Sequence, residues 1–167
     1  SFDDMFVPDH CMLSSESGNG FRNAYRSLTV DRIFTAALAV GNARAAYDAA
    51  RQYAHEREQF GQAIAKFQAI EFRLVDMFAK VETAAMHTYH AAQLADQSKD
   101  IQVEAALAKM VASELGHEVC HAAVTIFGGY GLMNEYPVQR FLRDSYFPMV
   151  GGGTPEIMRK IMARHVA

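Results

Sequence analysis

The sequence has little of what is typical of a disulfide-rich, membrane-spanning or nucleic-acid-binding protein. Two cysteines, Cys11 and Cys120, are too few for a disulfide framework. They suit a reducing compartment, which we expect to be the cytoplasm or, in a eukaryote, the mitochondrial matrix. No uninterrupted apolar run is long enough to span a membrane, and no signal peptide opens the chain. A formal net charge of -3 gives no reason to expect nucleic acid or an anionic membrane as a partner.

Helix breakers are also scarce, and their scarcity is the main signal for the fold. From Phe21 onward the sequence consists of long runs rich in Ala, Leu, Met, Glu and Lys. Apolar residues recur in these runs every three or four positions, which is typical of amphipathic helices. Turns are predicted around Gly61 and at 97–100, where the chain is polar. The predicted long helices cover residues 21–54, 67–94 and a third stretch from the N-cap Asp100 to about Ile126.

The C-terminal part of the chain is predicted to contain shorter elements. Pro137 is well placed to begin a fourth helix that reaches about Pro148. Gly151-Gly152-Gly153 is predicted to be a flexible hinge, after which Thr154 caps a last helix that begins with Pro155. Long helices joined by short turns favour antiparallel neighbours. We therefore predict an all-α fold, an antiparallel (up-down) four-helix bundle of long helices plus a short C-terminal helix.

One stretch of the third helix fits the H-E-x-x-H pattern of zinc proteases, His117-Glu118-Val119-Cys120-His121. Histidines at i and i+4 lie on one helix face, where they can bind zinc with Glu118 as the base. However, no third ligand stands at the spacing that such enzymes use, and so short a pattern arises by chance. We therefore expect no metal site and interpret the two histidines as part of a polar or subunit-contact face. Zinc binding is the least favoured alternative.

Three blocks of sequence share their order and spacing with one protein family. The first block runs from Phe2 to Pro8, and the second is Arg57-Glu58-Gln59-Phe60-Gly61 followed by Phe67-Gln68. The third is the tail, with Phe127-Gly128-Gly129-Tyr130-Gly131, Asn134-Glu135-Tyr136-Pro137-Val138, Arg140-Phe141-Leu142-Arg143-Asp144 and Gly152-Gly153-Thr154-Pro155-Glu156-Ile157. Together they resemble the acyl-CoA dehydrogenases.

The resemblance implies a domain division. Residues 1–19 are expected to be the end of a middle β-domain and its linker, with Phe2, Phe6 and Val7 ending a strand. Residues 20–167 are expected to form the C-terminal helical domain. Because the chain lacks an initiator Met and both other domains of the family, we interpret it as a piece of a longer protein.

The resemblance also implies a reaction. Family members bind FAD and an acyl-CoA substrate, and they carry out α,β-dehydrogenation of the thioester. Their electrons pass to an electron-transfer flavoprotein, or to oxygen in the related oxidases, and their subunits form a homodimer or homotetramer. The alternative is a catalytically altered or inactive member, or a fragment that acts only as an oligomerisation bundle and is itself inactive.

The general base is the point at which the sequence departs from the common family pattern. Many members carry a glutamate where this chain has Gly152, which retains only a backbone N–H to donate to the thioester carbonyl. A second family arrangement puts a glutamate before an active-site arginine on the first bundle helix, and here that pair is Asp31-Arg32. The resemblance therefore makes Asp31 the candidate base and Arg32 a substrate-binding residue. Aspartate reaches about 1.5 Å less far than glutamate, and the alternative reading of Asp31 is a solvated helix residue.

The same resemblance places FAD contacts on eight residues. Arg57 is expected to meet the pyrophosphate of a neighbouring subunit's FAD, because a guanidinium fork fits phosphate oxygens. Thr154 and Glu156 are expected to contact the subunit's own FAD at the start of the last helix. Thr125 stands where the family often has glutamine, so its adenine contact is weakened. The remaining expected contacts are Gln59, Phe60, Gln68 and Gly129.

Overall fold

The computed structural model is almost entirely helical, and it describes residues 1–13, 18–97 and 99–166. Three long helices contain 37, 29 and 26 residues in chain order. They are α1 (Gly20–Glu56), α2 (Gln68–Asp96) and α3 (Gln102–Phe127). Three shorter helices follow, α4 (Val138–Asp144), α5 (Tyr146–Val150) and α6 (Pro155–Val166). The all-α bundle is confirmed, and the predicted ends of the long helices are right to within two residues.

The two apolar clusters of the core show how the long helices run. One cluster joins the second half of α1 to the first half of α2 and the second half of α3, and includes Ala50, Met77 and Val119. The other joins the first half of α1 to the second half of α2 and the first half of α3. Therefore α2 runs antiparallel to both α1 and α3, which are parallel to each other. Short connections between long helices produce this up-down order.

Small residues bring α1 and α3 close together. A Cβ atom added at Gly116 of α3 would lie 3.3 Å from the backbone oxygen of Ala39 on α1. Alanines dominate the buried positions of α1, among them Ala36, Ala43 and Ala46. Close backbone approach of this kind lets dispersion contacts add up, although each contact is weak.

A small hairpin connects α1 to α2. Strands β1 (Glu58–Gln59) and β2 (Gln62–Ala63) pair antiparallel, with Glu58 opposite Ala63 and Gln59 opposite Gln62. The predicted turn at Gly61 is confirmed, although the hairpin itself was not predicted. Phe60 and Gly61 at its tip have φ of 53° and 79°. Two successive left-handed residues suit a tight hairpin turn.

The predicted fourth helix is divided in two. It ends at Asp144, and α5 begins again at Tyr146. Pro148 explains the break, since it has no N–H to donate to the Asp144 carbonyl and its ring crowds that oxygen. Within α5 it is the third residue, where its missing N–H costs nothing. The Asn42 side chain of α1 holds α4 in place by donating to the Phe141 carbonyl over 2.7 Å.

Two further boundaries differ from the sequence prediction. Ile101 rather than Asp100 is the N-cap of α3, and the Asp100 carboxylate accepts from the Gln102 N–H over 3.3 Å. Residues 1–13 contain one 3-10 turn, Asp9–Cys11, and no strand. A strand requires a hydrogen-bonded neighbour, and none of the other described residues supplies one there. The domain boundary near residue 20 stays a prediction. No helix in the described ranges has the length and apolar character needed to cross a membrane.

Candidate functional site

The turn between α5 and α6 lies directly against α1. A Cβ atom at Gly152 would be 3.4 Å from Thr35 Oγ1, 3.8 Å from Asp31 Oδ2 and 3.9 Å from Arg32 Cγ. The two places where the family pattern puts a base are therefore neighbours in space. Asp31 is exposed, so its carboxylate is free to meet a ligand and is not buried by this chain.

Glycine is required at this turn because of its backbone. Gly152 and Gly153 have φ of 68° and 105°, which side chains rarely allow. The Gly151 N–H donates to the Phe147 carbonyl over 2.7 Å. In contrast, the Gly152 N–H has no acceptor within the described part of the chain. The turn thus presents an unused backbone donor beside the Asp31 carboxylate.

Two buried cations lie beneath the turn. Arg32 is only 3% exposed, and its guanidinium carbon is 5.5 Å from the centre of the Tyr25 ring. Its Nε and Nη1 atoms have no hydrogen-bond partner in the ranges that the structure describes. The second cation is Lys109, which donates to the Gly153 carbonyl. We did not single out Lys109 from the sequence, although a charge among Ala105, Ala108 and Ala112 on the apolar side of α3 was a usable signal.

A second concave region surrounds Arg57 at the far end of α1. Its volume is about 510 Å³. The Arg57 guanidinium carbon is 5.5 Å from the centre of the Tyr130 ring, and Arg57 takes part in none of the ion pairs of the described residues. Its donors are therefore available to an anion. Of the predicted FAD contacts, Arg57, Gln59 and Gly129 line this cavity together.

The other predicted contacts from this region do not line the Arg57 cavity. Phe60 is 93% exposed at the hairpin tip, where its ring meets Phe67 edge to face at 6.2 Å. Gln68 is exposed at the start of α2. Thr125 donates to the His121 carbonyl over 3.0 Å and lines a different cavity, between α2 and α3.

Thr154 and Glu156 stand together at the start of α6. The Glu156 carboxylate accepts from its own backbone N–H and from the Thr154 hydroxyl, and both bonds lower its pKa. Nearby Arg159 and Lys109 lower the pKa further. Thr154 directly precedes Pro155, the first residue of α6, and the side-chain cap predicted for Thr154 stays a prediction. Thr154 and Glu156 remain beside the Gly152 turn, as the family pattern requires.

The H-E-x-x-H residues have structural partners. His117 Nδ1 lies 2.9 Å from Ser145 Oγ, and its ring meets Tyr146 edge to face at 4.6 Å. Glu118 forms an ion pair with Lys80 over 2.5 Å. No group of three or more metal-ligating side chains occurs in the part of the chain covered by the structure. The His117 contact instead holds the junction between α4 and α5, which the sequence did not reveal.

Known proteins resemble this chain in both sequence and fold. Residues 18–167 match the sequence profile of the acyl-CoA dehydrogenase C-terminal domain. The chain belongs to the acyl-CoA dehydrogenase family. It is 44% identical to benzylmalonyl-CoA dehydrogenase of Aromatoleum aromaticum, over 100% of this chain and 44% of that protein. It is 42% identical to CarC, a subunit of the caffeyl-CoA reductase–Etf complex of Acetobacterium woodii, over 96% of this chain and 42% of that protein.

Solved structures of the family agree with the fold. PigA, in a structure with FAD and proline, superposes with a TM-score of 0.93 at 29% identity, over 99% of this chain and 43% of PigA. The chain thus spans less than half the length of the relatives that it matches.

Proposed function

We propose that the full-length protein is an FAD-dependent acyl-CoA dehydrogenase, to which this chain contributes the base, the thioester donor and part of the flavin site. The main support is the contact between Asp31 and Gly152. Where the common family pattern supplies a glutamate, this chain has Gly152, and a Cβ atom there would be within van der Waals contact of α1, 3.8 Å from the exposed Asp31 carboxylate. The family's two requirements, a carboxylate and a backbone donor, are thus met within one small region.

The roles follow from this arrangement. The Asp31 carboxylate takes the proton from the α-carbon of the bound thioester. The Gly152 N–H donates to the thioester oxygen, which becomes negatively charged as the proton leaves. A donor fixed in advance stabilises that charge without reorganisation, an effect typically worth about 3 kcal/mol. Arg32, buried beneath the turn, contributes positive charge close to the reacting groups.

The chain's own residues fit an FAD. Arg57 offers an unpaired guanidinium at a cavity lined by Tyr53 and Tyr130, and phosphate oxygens suit such a fork. When bound, FAD supplies the acceptor for the hydride that leaves the β-carbon of the substrate. Thr154, Glu156 and the N-terminus of α6 are proposed to meet the cofactor of the same subunit, because a helix N-terminus favours phosphate.

We further propose that subunits assemble and that electrons leave through an electron-transfer flavoprotein. The membership of the related CarC in an Etf complex supports the second point. Assembly is supported by a row of exposed apolar side chains on α2, since large apolar side chains exposed side by side mark interaction sites. These side chains are Phe72, Val75, Phe78, Met86 and Tyr89. A homodimer or homotetramer would cover them.

The test of the base is Asp31→Asn in the full-length, flavin-loaded protein. Under anaerobic conditions an acyl-CoA should bleach the wild-type flavin, and the variant should do so at least about 100-fold more slowly, because general bases contribute about 100-fold to 10,000-fold. Flavin content should stay the same. Asp48→Asn, on an exposed position of the same helix, is the matched control and should behave as wild type.

Two outcomes would count against the proposal. Full activity of Asp31→Asn would remove Asp31 as the base. A wild-type flavin that no acyl-CoA reduces would instead support an inactive member that acts as an oligomerisation bundle. Repeating the assay in air, without the electron-transfer flavoprotein, separates a dehydrogenase from an oxidase.

A further inference from the structure

Lys109 occupies an unusual position for a lysine. Its side chain is fully buried on α3, at 0% exposure. Lysine is almost never buried without a partner. Here the ammonium donates to a carbonyl, that of Gly153, and is in no ion pair within the described ranges. Such an arrangement costs stability, because a buried charge without an anion keeps most of its desolvation penalty.

Charged groups approach Lys109 from three elements. The pKa of its ammonium is lowered to about 8, mainly by burial and also by Arg32 on α1. Glu156 on α6 and Glu114 on α3 act in the opposite direction. The Glu114 carboxylate already pairs with Arg159 over 2.5 Å. The other acidic group close to the turn is Asp31 on α1. Lys109 and Arg32 are therefore the buried charges beneath the Gly151–Gly153 turn, and the acidic side chains around them are less buried.

The turn needs an anchor of this kind. Glycine has more backbone freedom than any other residue, so the directions of the Gly152 and Gly153 N–H groups are poorly fixed by the backbone alone. The Gly153 carbonyl is the point at which the turn is tied to the body of the bundle, through Lys109. Fixing that carbonyl restricts the turn, in which the unused Gly152 N–H belongs to the second peptide group before it.

We propose that Lys109 is a positioning residue for the dehydrogenation proposed above, on which this inference rests. Its ammonium holds the Gly153 carbonyl so that the Gly152 N–H faces the thioester oxygen, and its charge favours the negative charge that develops there. Loss of the ammonium proton removes this charge and weakens the hydrogen bond to the carbonyl. The rate of flavin reduction should therefore fall as the pH rises through about 8, where Lys109 loses its proton.

The experiment compares Lys109→Met with wild type in the full-length holoprotein. Methionine keeps the length of the side chain and removes its charge. Anaerobic reduction of the flavin by an acyl-CoA should slow by roughly 100-fold, the effect of losing one oxyanion donor, while half-saturation by substrate changes by less than about twofold. The wild-type rate should decrease above pH 8, and the variant should lack this decrease. Lys160→Met, at an exposed position of α6, is the matched control.

Two readouts separate positioning from a structural role. A structural role predicts a lower melting temperature for Lys109→Met, whereas we expect an unchanged or higher one, because a buried unpaired charge is removed. Hydrogen exchange at the amides of residues 151–154 should become faster in the variant, and this readout does not depend on catalysis.

Each remaining outcome decides the question. Wild-type rates that stay constant to pH 9.5 overturn the proposal, even if Lys109→Met fails to fold. Unchanged exchange and an unchanged rate in a folded variant overturn it as well. If no acyl-CoA reduces the wild-type flavin, the proposed function fails, and faster exchange in the variant would still show that Lys109 holds the turn.

Discussion

The guanidinium of Arg57 combines a rigid position with free donors. Arg57 directly follows the last residue of α1, and its guanidinium lies over the Tyr130 ring, so two elements set its orientation. A guanidinium that already lies in its binding geometry loses little side-chain entropy when a phosphate arrives. Arg57 is therefore expected to contribute to flavin affinity more than its exposure at the surface suggests.

We predict that Arg57→Ala in the full-length protein weakens flavin retention by about 10-fold or more, since charged hydrogen bonds are typically worth about 1.5–3 kcal/mol. Arg57→Lys should recover only part of the affinity, because an ammonium lacks the fork. The measurement is flavin content after gel filtration, with a titration of the apoprotein. Arg51→Ala, an exposed residue of the same helix, is the control, and equal flavin occupancy in both alanine variants would contradict the prediction.

At this scale the sequence, through the family resemblance, named candidate reacting residues but not their contacts. Asp31 and Gly152 were identified separately, by resemblance, and only the packing of α6 on α3 and of its preceding turn on α1 brings them together. Lys109 was missed because a lysine on a helix is usually solvated. Its neighbours on the buried side, Ala105 and Ala112, were the available warning.

Among the secondary-structure elements, the long helices and the start of α6 at Pro155 were predictable, whereas the division between α4 and α5 and the hairpin were not. The apolar repeat of α2 maps onto buried Leu74, Met77 and Val81, because burial along a helix follows the same period as the sequence. The division between α4 and α5 depends on one proline and on tertiary contacts of Ser145. A two-residue strand pair has too few residues to leave a periodic signal, so the hairpin after α1 was predicted only as a turn.

The α4–α5 junction should be sensitive to acid. Ser145 has one hydroxyl proton, which it donates to the Leu142 carbonyl over 2.6 Å, so His117 Nδ1 must donate to Ser145 Oγ. Burial and the neighbouring His121 lower the pKa of His117 below its usual 6.5, while Glu118 acts in the opposite direction. The unfolded chain therefore binds more protons in the window just below pH 6.5. Stability provided by neutral His117 is present above pH 6.5 and is lost as the pH falls through the folded value.

We predict that the melting temperature of the full-length protein decreases between pH 7 and pH 5.5, and that His117→Gln reduces this decrease. At pH 7 the same variant should lower stability by about 1 kcal/mol, the usual cost of one lost hydrogen bond. His90→Gln, at an exposed position of α2, is the control and should keep the wild-type pH dependence. Identical pH profiles for wild type and His117→Gln would show that the junction does not sense acid.

The apolar core of the molecule lies on one side of α2, and large apolar side chains are exposed to solvent on the other side. Alanine and glycine allow close helix packing inside, while large side chains such as Phe72 and Met86 remain outside. The sequence predicted the bundle from its inner faces. It could not show which outer faces need a partner, because exposure is a property of the assembled fold.

The length of α1 sets a distance that one cofactor cannot span. Asp31 and Arg57 are separated by almost the whole remaining helix, roughly 40 Å at 1.5 Å per residue. A single dinucleotide is much shorter, so under the proposed function the two ends of α1 would belong to two different catalytic centres. If each centre takes Asp31 from one subunit and Arg57 from another, two inactive variants can complement each other in a mixed oligomer. Mixed oligomers of Asp31→Asn and Arg57→Ala subunits should regain turnover at flavin concentrations where neither parent is active. In each mixed pair of subunits, up to half of the centres would have both native residues. Turnover no greater than the sum of the parents would mean that one subunit holds a complete centre by itself.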